Sequence, residues 1–200
     1  MTTANDQIKL VEAALANTGA ATSDFDLNPN IRLPEDRTLR DAAVLVALMP
    51  HPEGARLVLT KRSSALKHHP GQIAFPGGKR DEGETLATTA LREAEEEVGL
   101  NRAQVRIIGT LPTHETVTSF LVTPQVGIIE GRFDPIAETG EVAEVFTVPL
   151  AHVLNPDNYA IEGRHWRGQR RQFFVVPYGP YYIWGATARI LRSLADQVST

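Results

Sequence analysis

GKRDEGETLATTALREAEEEVGL, residues 78–100, is the most informative part of this chain. Within it, residues 85–98 predict an amphipathic helix, because side chains spaced by about 100° per residue place the apolar positions on one arc. Those positions are Leu86, Ala87, Ala90, Leu91, Ala94 and Val98. Gly99 is typical of the residue that ends a helix. We therefore expect one face of this helix to pack on a core.

The same helix carries a run of glutamates beside its apolar arc. Glu93 and Glu97 are four residues apart, so their side chains lie one turn apart at the edge of the arc. Like charges at this spacing repel by a few tenths of a kcal/mol, and burial adds to that cost. A divalent cation would offset it, since Mg²⁺ prefers oxygen ligands. Taken alone, such a run more often forms a solvated face, as we expect for Glu95.

The spacing of the whole segment resembles the signature of the Nudix hydrolase family. The matching positions are Gly78, Glu84, Arg92-Glu93, Ala94, Glu96-Glu97 and Gly99-Leu100. A pattern this long is far more specific than a short motif. The resemblance implies an α+β fold, an α/β/α sandwich with a mixed, largely antiparallel sheet. It also implies a divalent cation, Mg²⁺ or Mn²⁺, and hydrolysis of a nucleoside diphosphate linked to another group.

The resemblance assigns catalytic roles to four helix residues. Glu93 and Glu97 are expected to be the principal metal ligands, and Glu96 a further ligand or the holder of a metal-bound water. Arg92 is expected to orient these carboxylates. A metal-bound water is a better nucleophile because its pKa falls, which makes this arrangement suitable for hydrolysis.

Four other residues complete the expected site. Gly78 is expected to let the loop turn tightly and to offer its carbonyl to the metal, and Glu84 to support the metal or brace the loop. Members of the family differ in their general base, which can come from a later loop. The candidates here are Glu141 and Glu144, although both residues equally fit surface positions on a strand.

The loop before this signature predicts the substrate. Residues 58–78, VLTKRSSALKHHPGQIAFPGG, resemble the pattern that precedes the signature in the coenzyme A pyrophosphatase branch of the family. The pattern has Arg where this chain has Lys67, which keeps the charge but lacks the bidentate fork. The substrate-binding residues implied by this resemblance are Arg62, Lys67, Gly71, Phe75 and Gly77. His68 and His69 would extend the basic rim, and they fit a role in shaping the loop better than a role as metal ligands.

The remaining periodicity predicts two regions. Residues 1–40 read as an N-terminal helix (6–17) followed by a linker or covering segment, and residues 41–200 as the Nudix hydrolase domain. A hairpin is expected from strands 42–49 and 55–61. Further strands are expected at 105–111, 121–129, 141–148, 159–162 and 172–176, with a short helix after 148 and a closing helix over 183–197.

Composition narrows the class of protein. Of 200 residues, 42% are apolar and 22% charged, which is typical of a soluble globular protein. The net charge of −4 disfavours a nucleic-acid or membrane partner. The chain has no cysteine, no signal-peptide pattern and no apolar run of about 20 residues, so we expect a cytoplasmic protein. The family resemblance implies that it is an enzyme acting on a small molecule.

Three alternatives stay open at this point. The substrate could instead be ADP-ribose, a dinucleoside polyphosphate or another nucleoside diphosphate derivative. The domain could be a non-catalytic module that senses a nucleotide, although such modules usually lose a carboxylate that this chain keeps. The basic segment Gly163–Arg171, GRHWRGQRR, has the composition of a nucleic-acid contact. The sequence also leaves open a homodimer formed through the N-terminal helix and linker.

Overall fold

The computed structural model describes residues 3–17, 19–31, 36–66, 69–166 and 168–199. Lys67 and His68, both expected in the basic rim, lie outside these ranges. The helices are α1 (Ala4–Leu15), α2 (Leu86–Val98), α3 (Leu150–Val153) and α4 (Ala186–Val198). The strands are β1 (Thr22–Ser23), β2 (Arg40–Met49), β3 (Arg56–Arg62), β4 (Ile73–Ala74), β5 (Gly77–Lys79), β6 (Val105–Thr110), β7 (His114–Glu115), β8 (Phe120–Ile129), β9 (Val142–Pro149), β10 (Ala160–Trp166) and β11 (Gln169–Val175).

Strands β1 to β9 form one mixed sheet, and β10 pairs with β11 in a separate hairpin. The centre of the large sheet is β2, which runs parallel to β8 from Arg40↔Phe120 to Leu48↔Ile128. The pairing of β1 with β7 is also parallel, while the other described pairings of this sheet are antiparallel. The predicted mixed, largely antiparallel sheet is confirmed.

The hairpin expected from β2 and β3 forms only next to its turn. The two strands pair at Leu48↔Leu57 and Met49↔Arg56, after which they separate. Further along, β4 replaces β2 as a partner of β3, and β5 replaces β3 as a partner of β2. Strand β9 pairs with β3 over its whole length, from Arg56↔Pro149 to Arg62↔Val142. The sequence prediction missed this exchange because β5 is only three residues long and glycine-rich. Its consequence is that the turn before α2 lies against the central strand.

The central strand is apolar from Ala42 to Met49 because both of its faces are buried there. Ala43, Leu45 and Ala47 pack with the apolar face of α2, in a core that includes Ala94 and Val98. The alternate side chains of β2 join a second core with residues of α1, α3 and α4. Since successive side chains of a strand point to opposite faces, helices cover both sides of the sheet. The predicted α/β/α sandwich is thereby confirmed.

The closing helix begins three residues later than the sequence predicts. Ile183 and Gly185 lie beside β11, where the Val176 N–H donates to the Ile183 carbonyl and the Gly185 N–H to the Phe174 carbonyl. Gly185 then precedes α4 with a φ of 65°, a conformation that glycine adopts at little cost. Pairing with a distant strand has overridden the local helical periodicity.

The N-terminal segment packs on the same core as the rest of the chain. Thr3 caps α1, and Ile8 and Val11 of this helix are buried in the cluster that also holds Leu191 and Leu194 of α4. The division of the chain at residue 40 stays a prediction. Among the described residues, no helix combines the length and apolarity that crossing a membrane requires.

Candidate active site

Helix α2 is fixed at both ends, which sets the direction of its glutamates. The Thr85 side chain accepts a hydrogen bond from the Thr88 N–H at the first turn, and Gly99 ends the helix in the left-handed conformation. The carbonyls of Glu97 and Val98 then accept hydrogen bonds from the backbone of the segment 136–142. That segment is therefore held against the C-terminal end of the helix, beside its carboxylates.

Glu97 is a buried carboxyl, only 5% exposed. Its Oε2 accepts a hydrogen bond of 3.2 Å from the Gly77 N–H. The pKa of Glu97 is raised to about 7, chiefly by burial. The hydrogen bond from Gly77 and the charge of Arg62 oppose this rise, and the charges of Glu93 and Glu141 add to it. Burial is also the largest cause of the raised pKa of Glu93. Both carboxylates therefore lie where a cation would stabilise their charge.

The Arg92 guanidinium donates hydrogen bonds to three carboxylates. Its Nε donates to Glu84 over 2.8 Å, while Nη1 donates to Glu93 over 2.9 Å and to Glu96 over 3.1 Å. Nη2 also donates to the carbonyl of Lys79 over 3.3 Å. The hydrogen bonds from Arg92 are the main reason that the pKa of Glu84 falls to about 2. This geometry suits the orienting role that the sequence predicts for Arg92.

Gly78 allows the turn to pass close to α2. A Cβ built on this residue would lie 2.5 Å from the carboxyl carbon of Glu93. Any larger residue at this position would therefore displace Glu93 or move the turn. The lack of a side chain at position 78 leaves room for the carboxylate, which agrees with the predicted need for glycine.

Five glutamates line one pocket at this end of α2. They are Glu93, Glu96, Glu97, Glu138 and Glu141. Glu138 was not among the residues that the sequence indicated. It lies three residues before Glu141, and its carboxylate accepts a 2.7 Å hydrogen bond from the Glu141 N–H. Since the contact between this loop and α2 joins distant parts of the chain, only the neighbouring Glu141 could have pointed to it.

The donor set suits a divalent cation of the Mg²⁺ or Mn²⁺ kind, because such ions prefer carboxylate oxygen. Within the described parts of the chain, however, no three such side chains already surround one point as metal ligands. Arg92 holds Glu93 and Glu96, and Gly77 holds Glu97. These hydrogen bonds engage one oxygen of each carboxylate, so the second oxygen of each would be the one to bind a metal.

The residues of the loop before α2 that were predicted to bind substrate lie in different environments. Arg62 ends β3 close enough to Glu97 to oppose the rise in its pKa. Gly71, with a φ of 70°, donates its N–H to the Arg62 carbonyl. Phe75 is 4% exposed and packs in the core, so it anchors this loop.

Two further glutamates lie outside the set that lines the pocket. The carboxylate of Glu144, a candidate general base, accepts a hydrogen bond from the Tyr181 hydroxyl. Glu95 is paired with Arg102, whose Nε donates to it over 2.7 Å. Of the two candidate bases, Glu141 is thus the one that the fold brings to the carboxylate pocket.

The architecture is that of the Nudix hydrolases, a class of enzymes that generally use divalent metal ions and act on small molecules. Residues 39–167 match the family described as NUDIX domain. The chain belongs to this family.

Relatives and solved structures agree with that assignment. An "Uncharacterized Nudix hydrolase NudL" of Cronobacter sakazakii is 45% identical over 160 residues, which span 80% of this chain and 83% of that protein. The protein of the same description from Escherichia coli O7:K1 is 42% identical over the same coverage. A MutT/nudix family protein from Enterococcus faecalis has a TM-score of 0.52 at 16% identity, covering 86% of this chain and 66% of that one. A MutT protein from Methanosarcina mazei Go1 has a TM-score of 0.51 at 17% identity, covering 83% and 96%. These two structures support the fold.

Proposed function

We propose that this Nudix hydrolase cleaves the pyrophosphate bond of coenzyme A or one of its derivatives. The products would be 3′-phosphoadenosine 5′-phosphate and 4′-phosphopantetheine or its acyl form. The observation that carries the proposal is the loop of residues 58–78. Its sequence resembles that of the coenzyme A branch, and its described part joins the pocket at Arg62 and Gly77.

The loop offers positive charge next to a strongly acidic pocket. The Arg62 N–H donates to the Gln72 carbonyl, and the Arg62 carbonyl accepts from Gly71, so the two ends of the loop are tied together. A pyrophosphate substrate needs this combination, because its oxygens bind both metal ions and guanidinium groups. Arg62, Lys67 and Gly71 are thus proposed to bind the anionic part of the substrate, with Gly77 and Phe75 supporting the loop.

The carboxylates of this site are proposed to have two different roles, metal binding and bracing of the loop. Glu93 and Glu97, with Glu96, are proposed to hold Mg²⁺ or Mn²⁺, assisted by the Gly78 carbonyl. The metal would neutralise charge on the pyrophosphate and lower the pKa of a bound water. Glu84 is more suited to bracing, because it already accepts hydrogen bonds from Arg92 and from the Thr89 hydroxyl.

A general base has to accept the proton of the attacking water. We propose Glu141 for this role, because it lines the carboxylate pocket but belongs to a different segment from the glutamates of α2. Its position is fixed by the Ser63 N–H, which donates to the Glu141 carbonyl over 2.8 Å. Glu138 would then orient the segment through its hydrogen bond to the Glu141 N–H.

Three matched substitutions test the base. We expect Glu141→Gln to lower kcat by about 100-fold or more, since general bases typically contribute 10²–10⁴-fold. Glu138→Gln should have a smaller effect, and Glu144→Gln should stay within about threefold of the unchanged enzyme, because Glu144 contacts Tyr181 and not the pocket. Steady-state kinetics at saturating metal measures all three variants. A greater loss in Glu144→Gln than in Glu141→Gln would reverse the assignment.

Product analysis tests the substrate. The purified protein is incubated with Mg²⁺ or Mn²⁺ and separately with coenzyme A, ADP-ribose, NADH and a dinucleoside polyphosphate, and the nucleotides are separated. We expect 3′-phosphoadenosine 5′-phosphate to form from coenzyme A much faster than any product forms from the others. Faster cleavage of another substrate would refute the coenzyme A assignment and leave the family chemistry standing. Lack of cleavage with either metal would favour a nucleotide-sensing module.

A further inference from the structure

The β10–β11 hairpin carries a cluster of basic side chains for which the proposed active site gives no role. In its antiparallel register Arg164 lies opposite Arg171, and His165 lies opposite Arg170. Like charges placed directly opposite each other in a sheet destabilise it. This local concentration also contrasts with the net charge of −4 of the whole chain. An anion would be attracted to this cluster.

Arg164 is positioned by aromatic rings. Its guanidinium carbon lies 5.9 Å from the ring centroid of Phe173, 5.5 Å from that of Tyr182 and 5.4 Å from that of Trp184. Glu162, two residues earlier on the same face of the strand, accepts a hydrogen bond from the Tyr182 hydroxyl. Arg164 itself is exposed. The Arg164 side chain also hydrogen-bonds Tyr182. Because a guanidinium has five N–H donors, others can bind an anion.

The aromatic rings also connect the hairpin to the loop beside the carboxylate pocket. Trp184 forms a β-bridge with Val175 of β11. The next residue, Gly185, lies beside Gln72, because a Cβ built on Gly185 would be 3.7 Å from the side-chain amide nitrogen of Gln72. The Gln72 carbonyl accepts a hydrogen bond from the N–H of Arg62, whose charge acts on Glu97. The contacts therefore continue from the substrate loop to Arg164.

We propose that Arg164 binds the 3′-phosphate of a coenzyme A type substrate, an inference that rests on the proposed function. A phosphomonoester carries close to two negative charges near neutral pH, and its oxygens accept paired hydrogen bonds from a guanidinium. Arg171 adds positive charge from the opposite position of the same hairpin. The 3′-phosphate and the scissile pyrophosphate are attached to the same ribose. In this proposal one substrate engages the pocket and the hairpin together, and Arg164 determines specificity for the phosphorylated ribose.

The test compares coenzyme A with 3′-dephospho-coenzyme A. We expect Arg164→Gln to lower kcat/KM for coenzyme A by about 10–100-fold, the range for losing a hydrogen bond to a charged group, and to leave 3′-dephospho-coenzyme A within about twofold. Inhibition by 3′-phosphoadenosine 5′-phosphate should weaken, while inhibition by adenosine 5′-phosphate should not. Arg132→Gln is the matched control, because the Arg132 side chain is 86% exposed and pairs with Asp134 outside this cluster.

The other outcomes separate the two proposals. An equal loss on both substrates, or no loss on either, would overturn the role of Arg164 and leave the proposed function intact. If the unchanged enzyme cleaves neither form of coenzyme A but does cleave another nucleotide, the proposed function fails, and this inference fails with it. If the substitution weakens binding of a short single-stranded oligonucleotide without altering either kcat/KM, the hairpin is a nucleic-acid surface instead.

Discussion

Glu97→Gln is expected to lower kcat by roughly 10²–10³-fold without unfolding the protein. A metal ion contributes several kcal/mol of transition-state stabilisation, and each 1.36 kcal/mol corresponds to about tenfold in rate. Glutamine fills the same volume and still offers an oxygen to the Gly77 N–H, which now donates to Glu97 over 3.2 Å. It lacks the negative charge that a metal requires. Turnover at saturating Mg²⁺ or Mn²⁺ measures the effect.

The matched control is Glu95→Gln, two residues away on the same helix. Glu95 pairs with Arg102 and lies outside the residues that line the pocket. Loss of such an exposed pair should change the stability little and should leave turnover nearly unchanged. Near-normal activity in Glu97→Gln, or an equal loss in both variants, would show that Glu97 does not act through a metal.

Glu97→Gln should lack one pH-dependent contribution to stability that the unchanged protein has. Because the pKa of Glu97 is raised to about 7, the folded state binds its proton more tightly than the unfolded chain does. This contribution to stability is present at low pH and is lost as the pH rises through about 7. Without metal, the difference obtained by subtracting the Tm of the unchanged protein from that of Glu97→Gln should therefore increase from about pH 5 to about pH 8. With metal, only the unchanged protein should gain stability.

The features that could be predicted from the sequence are those encoded locally. Helix α2 is one such feature, because its apolar arc, its glutamates and Gly99 all lie within one contiguous segment. The apolar run of β2 is another, since burial of both faces requires continuous hydrophobicity. The helical spacing of α2 also placed Glu93 and Glu97 at the edge of the buried face, where the structure has them.

The features that could not be predicted depend on contacts between distant segments. Glu138 reaches the pocket because its N–H donates to the Glu97 carbonyl across 41 positions of the chain, a contact with no local signature. The segment before Ala186 has helical periodicity but pairs with β11. Phe75 belongs to a sequence motif associated with substrate binding, yet it is buried in the core. A motif thus indicates that a residue matters without showing whether it contacts the substrate or supports the loop.

Gly77→Ala is expected to lower the free energy of unfolding by roughly 2–4 kcal/mol, the range for overpacking combined with backbone strain. A Cβ built on Gly77 would lie 2.5 Å from the carbonyl oxygen of Ala43 and 2.6 Å from the Cα of Val44. Both are backbone atoms of β2, at the centre of the sheet, so they cannot rotate away as a flexible side chain would. For a chain of this size the Tm should fall by roughly 10 °C.

Gly83→Ala separates this crowding from the general cost of replacing glycine. Gly83 has a φ of 83°, but a Cβ built on it would meet nothing within 4 Å. That substitution should therefore cost only the left-handed backbone strain, about 1–2 kcal/mol. Thermal unfolding of both variants without metal measures the difference. Equal Tm values would mean that β5 can move away from β2. The Gly77 N–H would then not be a fixed support for Glu97, and the turn would be less rigid than its close packing against the central strand implies.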